Sequence, residues 1–370
     1  MGNYCSPSFS MPISNLRSPK LKTAPPFPLF GLPLVAYKNI IDLMTSAEQV
    51  SLSFCSRRTN SIIKYIRHRP ETLTLWIQGR NRVLVKVSHG HYKAINTSRQ
   101  FFSVLGAKKK SRRVYRLETI SIKGHIVPVK VFTKKDGSQY LETYWNDKNY
   151  GLRVIGDYVC DLFRQDLLAV KLVEDHIELF EWVHNRQPSI TQITLAKKIS
   201  DEDFKYIASK SNTKLLLGNT SLSKNFRIEK FNKKADVIGL VNCHWMTVEN
   251  IMELNTGRIE IRGKTFTNKE LNRILKHWIN GGSPYLNHLR LCLDKPNDQE
   301  YLDGIVNNRI EGDPNVRFYS ALYHSEYIFN NVGLERADGT KASFKVYRDN
   351  SIFVFVVWPD AKGRTFESFD

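Results

Sequence analysis

The sequence predicts an α+β / α/β chain in three successive patterns: an N-terminal three-helix module, a small antiparallel sheet, then leucine-rich-repeat-like β-α units with a C-terminal hairpin. Three observations carry this. Apolar residues recur at helical spacing between Phe27 and Ile66, short alternating runs follow from Leu73 to Asn146, and an aliphatic strand motif then returns roughly every 21 to 30 residues with helical stretches between. With 370 residues, 41% hydrophobic and 25% charged, the chain has enough apolar side chains for two or three cored units and is not a disordered chain.

In the helical module, Leu32-Pro33 opens the first helix, since a proline there gives up an N–H that has no partner and brings its φ preset. Val35, Tyr37, Ile40, Ile41 and Met44 form one apolar stripe. Ser46 and Gln49 have capping-box spacing for a second helix. Val50, Leu52, Phe54 and Cys55 make that helix apolar all round. A third helix is expected over Arg57–Ile66, with Ile62, Ile63 and Ile66 inward and Arg57, Arg58, Lys64 and Arg67 outward. So short a segment cannot bury these side chains by itself, so it either caps the rest of the chain or completes its core on another protein.

Leu32, Pro33, Ile40, Met44, Val50, Leu52, Cys55, Arg57 and Arg58 fall without a gap on the pattern of an F-box, with Thr59 where many members have Trp. The segment resembles the F-boxes of the nematode family that carries an F-box-associated type 2 domain. The resemblance implies that Leu32 and Pro33 meet a Skp-type adaptor, and through it a cullin, while Ile40, Met44, Val50, Leu52 and Cys55 complete the helical core or its contact face.

From Leu73 onward, strands are expected at Thr72 to Ile77, Arg82 to Val87, Glu118 to Ile122, Ile126 to Thr133 and Gln139 to Trp145, with a two-residue hairpin at Asp136-Gly137. Tyr150 to Phe163 reads as a helix. The repeated motif then comprises Leu167, Val170 and Leu172; Ile190, Ile193 and Leu195; Leu215 and Leu217; Ile238 and Leu240; Ile259 and Ile261; and Leu286, Leu289 and Leu291. Helices are expected at Asp175 to His184, Asp201 to Ala208, Val248 to Leu254 and Asn268 to Ile279, the second and fourth opened by Ser200 and Thr267 caps with Asp203 and Glu270 three residues on. Two architectures fit, a stacked repeat array and an ordinary open α/β sheet.

Cys243-His244-Trp245-Met246, Arg258-Ile259-Glu260-Ile261 and the run Thr267-Asn268-Lys269-Glu270-Leu271-Asn272, continued by Leu275-Lys276-His277-Trp278, are similar to the signature of the F-box-associated type 2 domain. So are Arg336-Ala337-Asp338-Gly339 and the hairpin strands Ser343 to Tyr347 and Ser351 to Trp358. The resulting division is a disordered tail at 1–26, the helical module at 27–70, a β-rich segment and helix at 71–165, a β-α repeat-like target-binding domain at 166–312 and a C-terminal β segment at 313–370.

The formal net charge of +19 suits an anionic partner, but the cations are spread along the chain, and Lys108 to Arg113, the one compact run, reads as a solvated loop or a nuclear signal. No sheet face interleaving aromatics with arginine is legible, so nucleic acid is not the expected partner. Five scattered cysteines without a C-x-x-C pair point to a reducing compartment, cytoplasmic and/or nuclear, with no disulfide or structural zinc. The apolar runs are too short to span a bilayer. Gly2 and Cys5 match an acylation form that Pro7 disfavours, so membrane attachment is not expected.

Catalysis needs convergent groups, and none is found. Cys243 and His244 point apart on a strand, His89 and His91 have no nearby acid, and His288, Arg290 and Cys292 read as a surface row. The F-box resemblance implies a non-catalytic, cofactor-free receptor of a ubiquitin ligase, for which this absence is expected. A basic nucleic-acid-binding or other non-ligase interaction module is the competing expectation. Strand alternation places Lys171, Gln192, Thr194, Lys214, Arg258, Glu260, Arg262, His288 and Arg290 in an exposed row for an acidic or phosphorylated protein target.

Overall fold

A computed structural model describes residues 29–66, 73–79, 82–87, 102–111, 117–173, 176–306, 308–309, 316–320, 325–329, 332–347, 349 and 351–365. Two compact units divide between Leu43 and Met44.

In the first unit a 3-10 turn, Leu29–Gly31, leads into α1 (Leu34–Leu43). Pro33 stands just ahead of the helix and its carbonyl accepts from the Ala36 and Tyr37 amides at 3.0 and 3.2 Å. Phe30 sets its ring edge-on to Tyr37. Ile41 is buried, whereas Leu34, Val35 and Leu43 are exposed.

The second unit begins with α2 (Ser46–Ser53) and α3 (Arg57–Ile66). The capping box of α2 is Thr45 with Glu48, one residue ahead of the expected pair: the Glu48 amide donates to Thr45 Oγ1 at 3.2 Å and the Thr45 amide to Glu48 Oε2 at 2.7 Å. Ser46 and Gln49 are buried instead, and Gln49 Nε2 donates to the Met44 carbonyl. Ser56 caps α3, accepting from the Thr59 amide at 3.0 Å, and Thr59 is buried where a tryptophan was the family pattern.

The strands that follow are β1 (Leu73–Gln78), β2 (Arg82–Val87), β3 (Phe102–Lys109), β4 (Thr119–Ile122), β5 (His125–Thr133) and β6 (Gln139–Trp145), then helix α4 (Lys148–Phe163). This sheet is mixed, correcting the antiparallel expectation: β3 runs parallel to β6, and β1 runs parallel to a later strand. Lys108 and Lys109 end β3 and are not in a loop. Between β5 and β6 only Gly137 takes a positive φ, and the Gly137 amide donates to Lys134 while the Lys134 amide donates to Ser138, a three-residue connection with glycine in its left-handed position.

Strands β7 (Leu167–Leu172), β8 (Ile190–Leu195), β9 (Thr213–Asn219), β10 (Lys234–Val241), β11 (Asn255–Phe266) and β12 (His288–Leu293) alternate with α5 (His176–Arg186), α6 (Asp201–Lys210), α7 (Val248–Glu253) and α8 (Asn268–Ile279). Residues 220–233, between β9 and β10, hold no helix. A short α9 (Asp298–Tyr301) precedes β13 (Asn308–Arg309), β14 (Val316–Ser320), β15 (Ser325–Phe329), β16 (Val332–Glu335), β17 (Lys341–Tyr347) and β18 (Ile352–Val357).

Among the described residues sixteen strands join in one sheet of order β13-β16-β17-β18-β12-β11-β10-β9-β8-β7-β1-β2-β3-β6-β5-β4. From β7 to β12 the strands are parallel and lie side by side in chain order. The expected C-terminal hairpin, β17–β18, is part of the same sheet because β18 pairs antiparallel with β12. The β14–β15 ribbon is separate and sets Phe318 edge-on to Trp358, over Val354 and Val356.

Register assigns the faces. Val170, Ile193, Leu216, Ile238, Ile259, Leu289 and Phe355 align across the strands and pack with Phe180, Phe204, Ile251 and Trp278 of the helices. Leu216 is therefore the inward residue of β9, while Leu215 and Leu217 lie on the opposite face. Three consecutive leucines give no alternation to read, so only the pairing of Leu216 with Ile193 and Ile238 decides. At Gly156 of α4 a Cβ would lie 2.7 Å from Ile77 and 2.9 Å from Trp182, so glycine permits the helix to approach both β1 and α5.

Candidate interaction surfaces

The helix-free face of the sheet carries two aligned rows. One runs Ala169, Gln192, Leu215, Val237, Arg258, His288, Val356 and the other Lys171, Thr194, Leu217, Gly239, Glu260, Arg290, Val354. Eight of the nine residues expected in an exposed row share this side or its rim. Lys214 does not, because it alternates with Leu215 and so falls on the side of Leu216.

Exposure is uneven. Lys171, Lys214 and Arg262 are exposed and Thr194 and Arg290 half-buried, but Gln192, Arg258, Glu260 and His288 are buried, correcting the expectation of an open row. Neighbouring parallel strands lie close enough that long side chains in register cover one another. Arg258 and Glu260, two residues apart on β11, close on each other: Arg258 Nε donates to Glu260 Oε1 at 2.8 Å and a terminal guanidinium nitrogen lies 2.7 Å from the same oxygen. Arg262 approaches the other carboxylate oxygen at 3.7 Å. Glu260 thus neutralises one guanidinium inside the surface and leaves Arg262, Arg290 and Lys171 to present charge outward.

His288, between Arg258 and Val356 in register, is neutral. Burial, with Arg258 and Arg290 adding repulsion, holds its imidazole well below the ordinary 6.5. Cys243 and Cys160 are buried thiols, each pushed up to about 12 by burial, which disfavours the thiolate at neutral pH.

At the other end of this face lies a cluster that sequence reading did not find. Arg82 and Lys134 stand over the Tyr140 ring at 5.7 and 5.8 Å, and Lys108 over Phe132 at 5.4 Å. Buried Glu142 receives Lys108 at 3.0 Å and the Tyr140 hydroxyl at 3.1 Å. β3 was the missing strand, and without it Lys108 could not be set beside β6. Tyr140 is itself buried, so its face is taken by cations and is not a platform for bases.

Of the residues assigned to adaptor contact, Leu32, Ile40, Met44 and Leu52 are half-buried, Pro33 and Cys55 exposed and Val50 fully buried. Val50 is a core residue and not part of an outer contact face. Gly2 and Cys5, with the expected tail at 1–26, lie outside the described residues, as do His89 and His91.

Two family profiles match the chain. The one described as F-box domain covers residues 29–69, the helices α1 to α3, and the one described as F-box associated covers residues 221–291, from the helix-free connection to β12. Comparison with curated proteins and with solved structures finds no match.

Proposed function

We propose that the chain is the target-recognition subunit of an SCF-type cullin-RING ubiquitin ligase, its F-box held by a Skp-type adaptor and its sheet face holding a protein target. One observation carries this: an F-box match on the N-terminal helices and an F-box-associated match on the units bearing Arg258, Glu260, Arg262, His288 and Arg290 occur in one chain. Such a subunit needs no catalytic group of its own. It raises the effective concentration of target lysines near the conjugating enzyme.

The strand order supports reading β7 to β12 as leucine-rich-repeat-like, since each unit adds beside the last and helices pack on one face. The target we infer is acidic or phosphorylated, because Lys171, Arg262 and Arg290 present positive charge outward from the strands β7 to β12 of the open face. Its place of action would be the cytoplasm and/or nucleus. The test is co-purification of the full chain with adaptor and cullin from cells, beside a variant carrying Leu32→Ala and Pro33→Ala. Association lost in the variant is the expected result, and no association of the unaltered chain would remove the reading.

A further inference from the structure

The helical layer has a notch. Each parallel connection from β7 to β12 carries a helix except residues 220–233, which cover the sheet with Phe226 and Phe231 instead. Beside α6 this leaves a cavity of about 660 Å³ lined by half-buried Ile228 and buried Phe231, by exposed Lys205 and Lys230, by buried Lys233, and by Glu202 as its acidic residue. Its size and its apolar lining with a few polar groups are those of a ligand-binding cleft.

Lys233 is the unusual member. It is buried, and its ammonium donates to the carbonyl and, at 2.8 Å, the hydroxyl of Ser211, the residue that ends α6. Those bonds engage two of its three donors. Burial pulls the amine down to about 8, and among the described residues no carboxylate offsets it. A buried cation bonded to neutral acceptors is a site where an incoming anion gains unusually much.

We propose that this notch docks a short acidic segment of a partner protein, seating an apolar side chain on Ile228 and Phe231 and a carboxylate at Lys233, with Lys205 and Lys230 flanking. The site lies on the helical side of the sheet and does not depend on the ligase reading. Three lysines against one glutamate set the sign of the partner, and the apolar lining demands more than charge alone.

The probe is a labelled synthetic peptide of glutamates around one phenylalanine, titrated onto the full chain with hydrogen exchange read in parallel. Saturable binding that protects α6 and residues 226–233 is expected. It should weaken at least tenfold in Lys205→Glu/Lys230→Glu, whose exposed positions leave the fold intact by thermal melting, and at least fivefold when serine replaces the phenylalanine. No binding, equal binding by the reversal variant, equal binding of the serine peptide, or protection confined to the open face near Arg262 and Arg290 would each overturn the proposal.

Discussion

The Tyr158 hydroxyl of α4 lies 2.6 Å from Ser53 Oγ of α2 and accepts from Asn60 Nδ2 of α3 at 2.9 Å. Ser53 gives its one proton to the Val50 carbonyl at 2.6 Å, so Tyr158 is the donor to Ser53 and the bonds run in one direction from Asn60 to Val50. Phe54 stacks on the Tyr158 ring at 4.6 Å, and Lys64 pairs with Asp161 at 2.6 Å one turn along. Helices α2 and α3 are therefore built into the sheet-bearing unit.

Tyr158→Phe keeps the stacking and removes the hydroxyl from buried Ser53 and half-buried Asn60, so it should destabilise the chain by about 1–2 kcal/mol. Thermal melting checks this, and one cooperative transition is expected in both proteins. A separate early transition in the variant would mean that α2 and α3 melt on their own.

Leu32→Ala with Pro33→Ala removes an apolar anchor of about 2–3 kcal/mol at full burial, and adaptor binding should fall roughly tenfold to a hundredfold. Both residues belong to the unit Met1–Leu43 and the Tyr158 bonds to the unit that begins at Met44, so the melting temperature and target binding should be unchanged. Adaptor affinity, melting and target affinity are measured on the same preparation, and a target affinity that falls with the adaptor's would show one cooperative surface.

Charge reversal should separate Arg258 from its neighbours. Arg262→Glu with Arg290→Glu alters outward charge, so target binding and its salt dependence should fall with little change in melting. Arg258→Ala strips buried Glu260 of a close partner and should destabilise the chain by about 3 kcal/mol or more. A melting temperature unchanged in Arg258→Ala would contradict the burial of this pair.

His288 makes stability depend on pH in one direction. Its folded pKa is depressed below the ordinary 6.5, so below that pH the unfolded chain takes up a proton that the folded chain refuses, and stability falls as pH falls. The contribution is full above about 6.5. His288→Leu should flatten this acid limb in denaturant titrations from pH 7 to 5, and an unchanged slope would rule the assignment out.

Periodicity was a reliable guide where one face is buried and ambiguous where both are covered. α3 was legible to the residue because Ile63 and Ile66 alternate with charge, and β2 and β6 because turn residues bound them. β9 misled because Leu215, Leu216 and Leu217 carry no alternation. Burial of Arg258 and His288 was illegible for another reason: it arises from register between strands some 30 residues apart, which no local pattern encodes. The Lys233 notch depends on a helix being missing between β9 and β10, which no local pattern in residues 220–233 announces.

Because β7 to β12 lie side by side in chain order, a whole strand-helix unit could be inserted or deleted among them without rerouting any connection. Each such event would change the breadth of the open face by about 4.8 Å, one strand spacing. The β1 end, joined through α4 to Ser53 and Asn60, would stay where it is. Duplication within the gene thus offers a route to sheets of different span beside an unchanged β1 end.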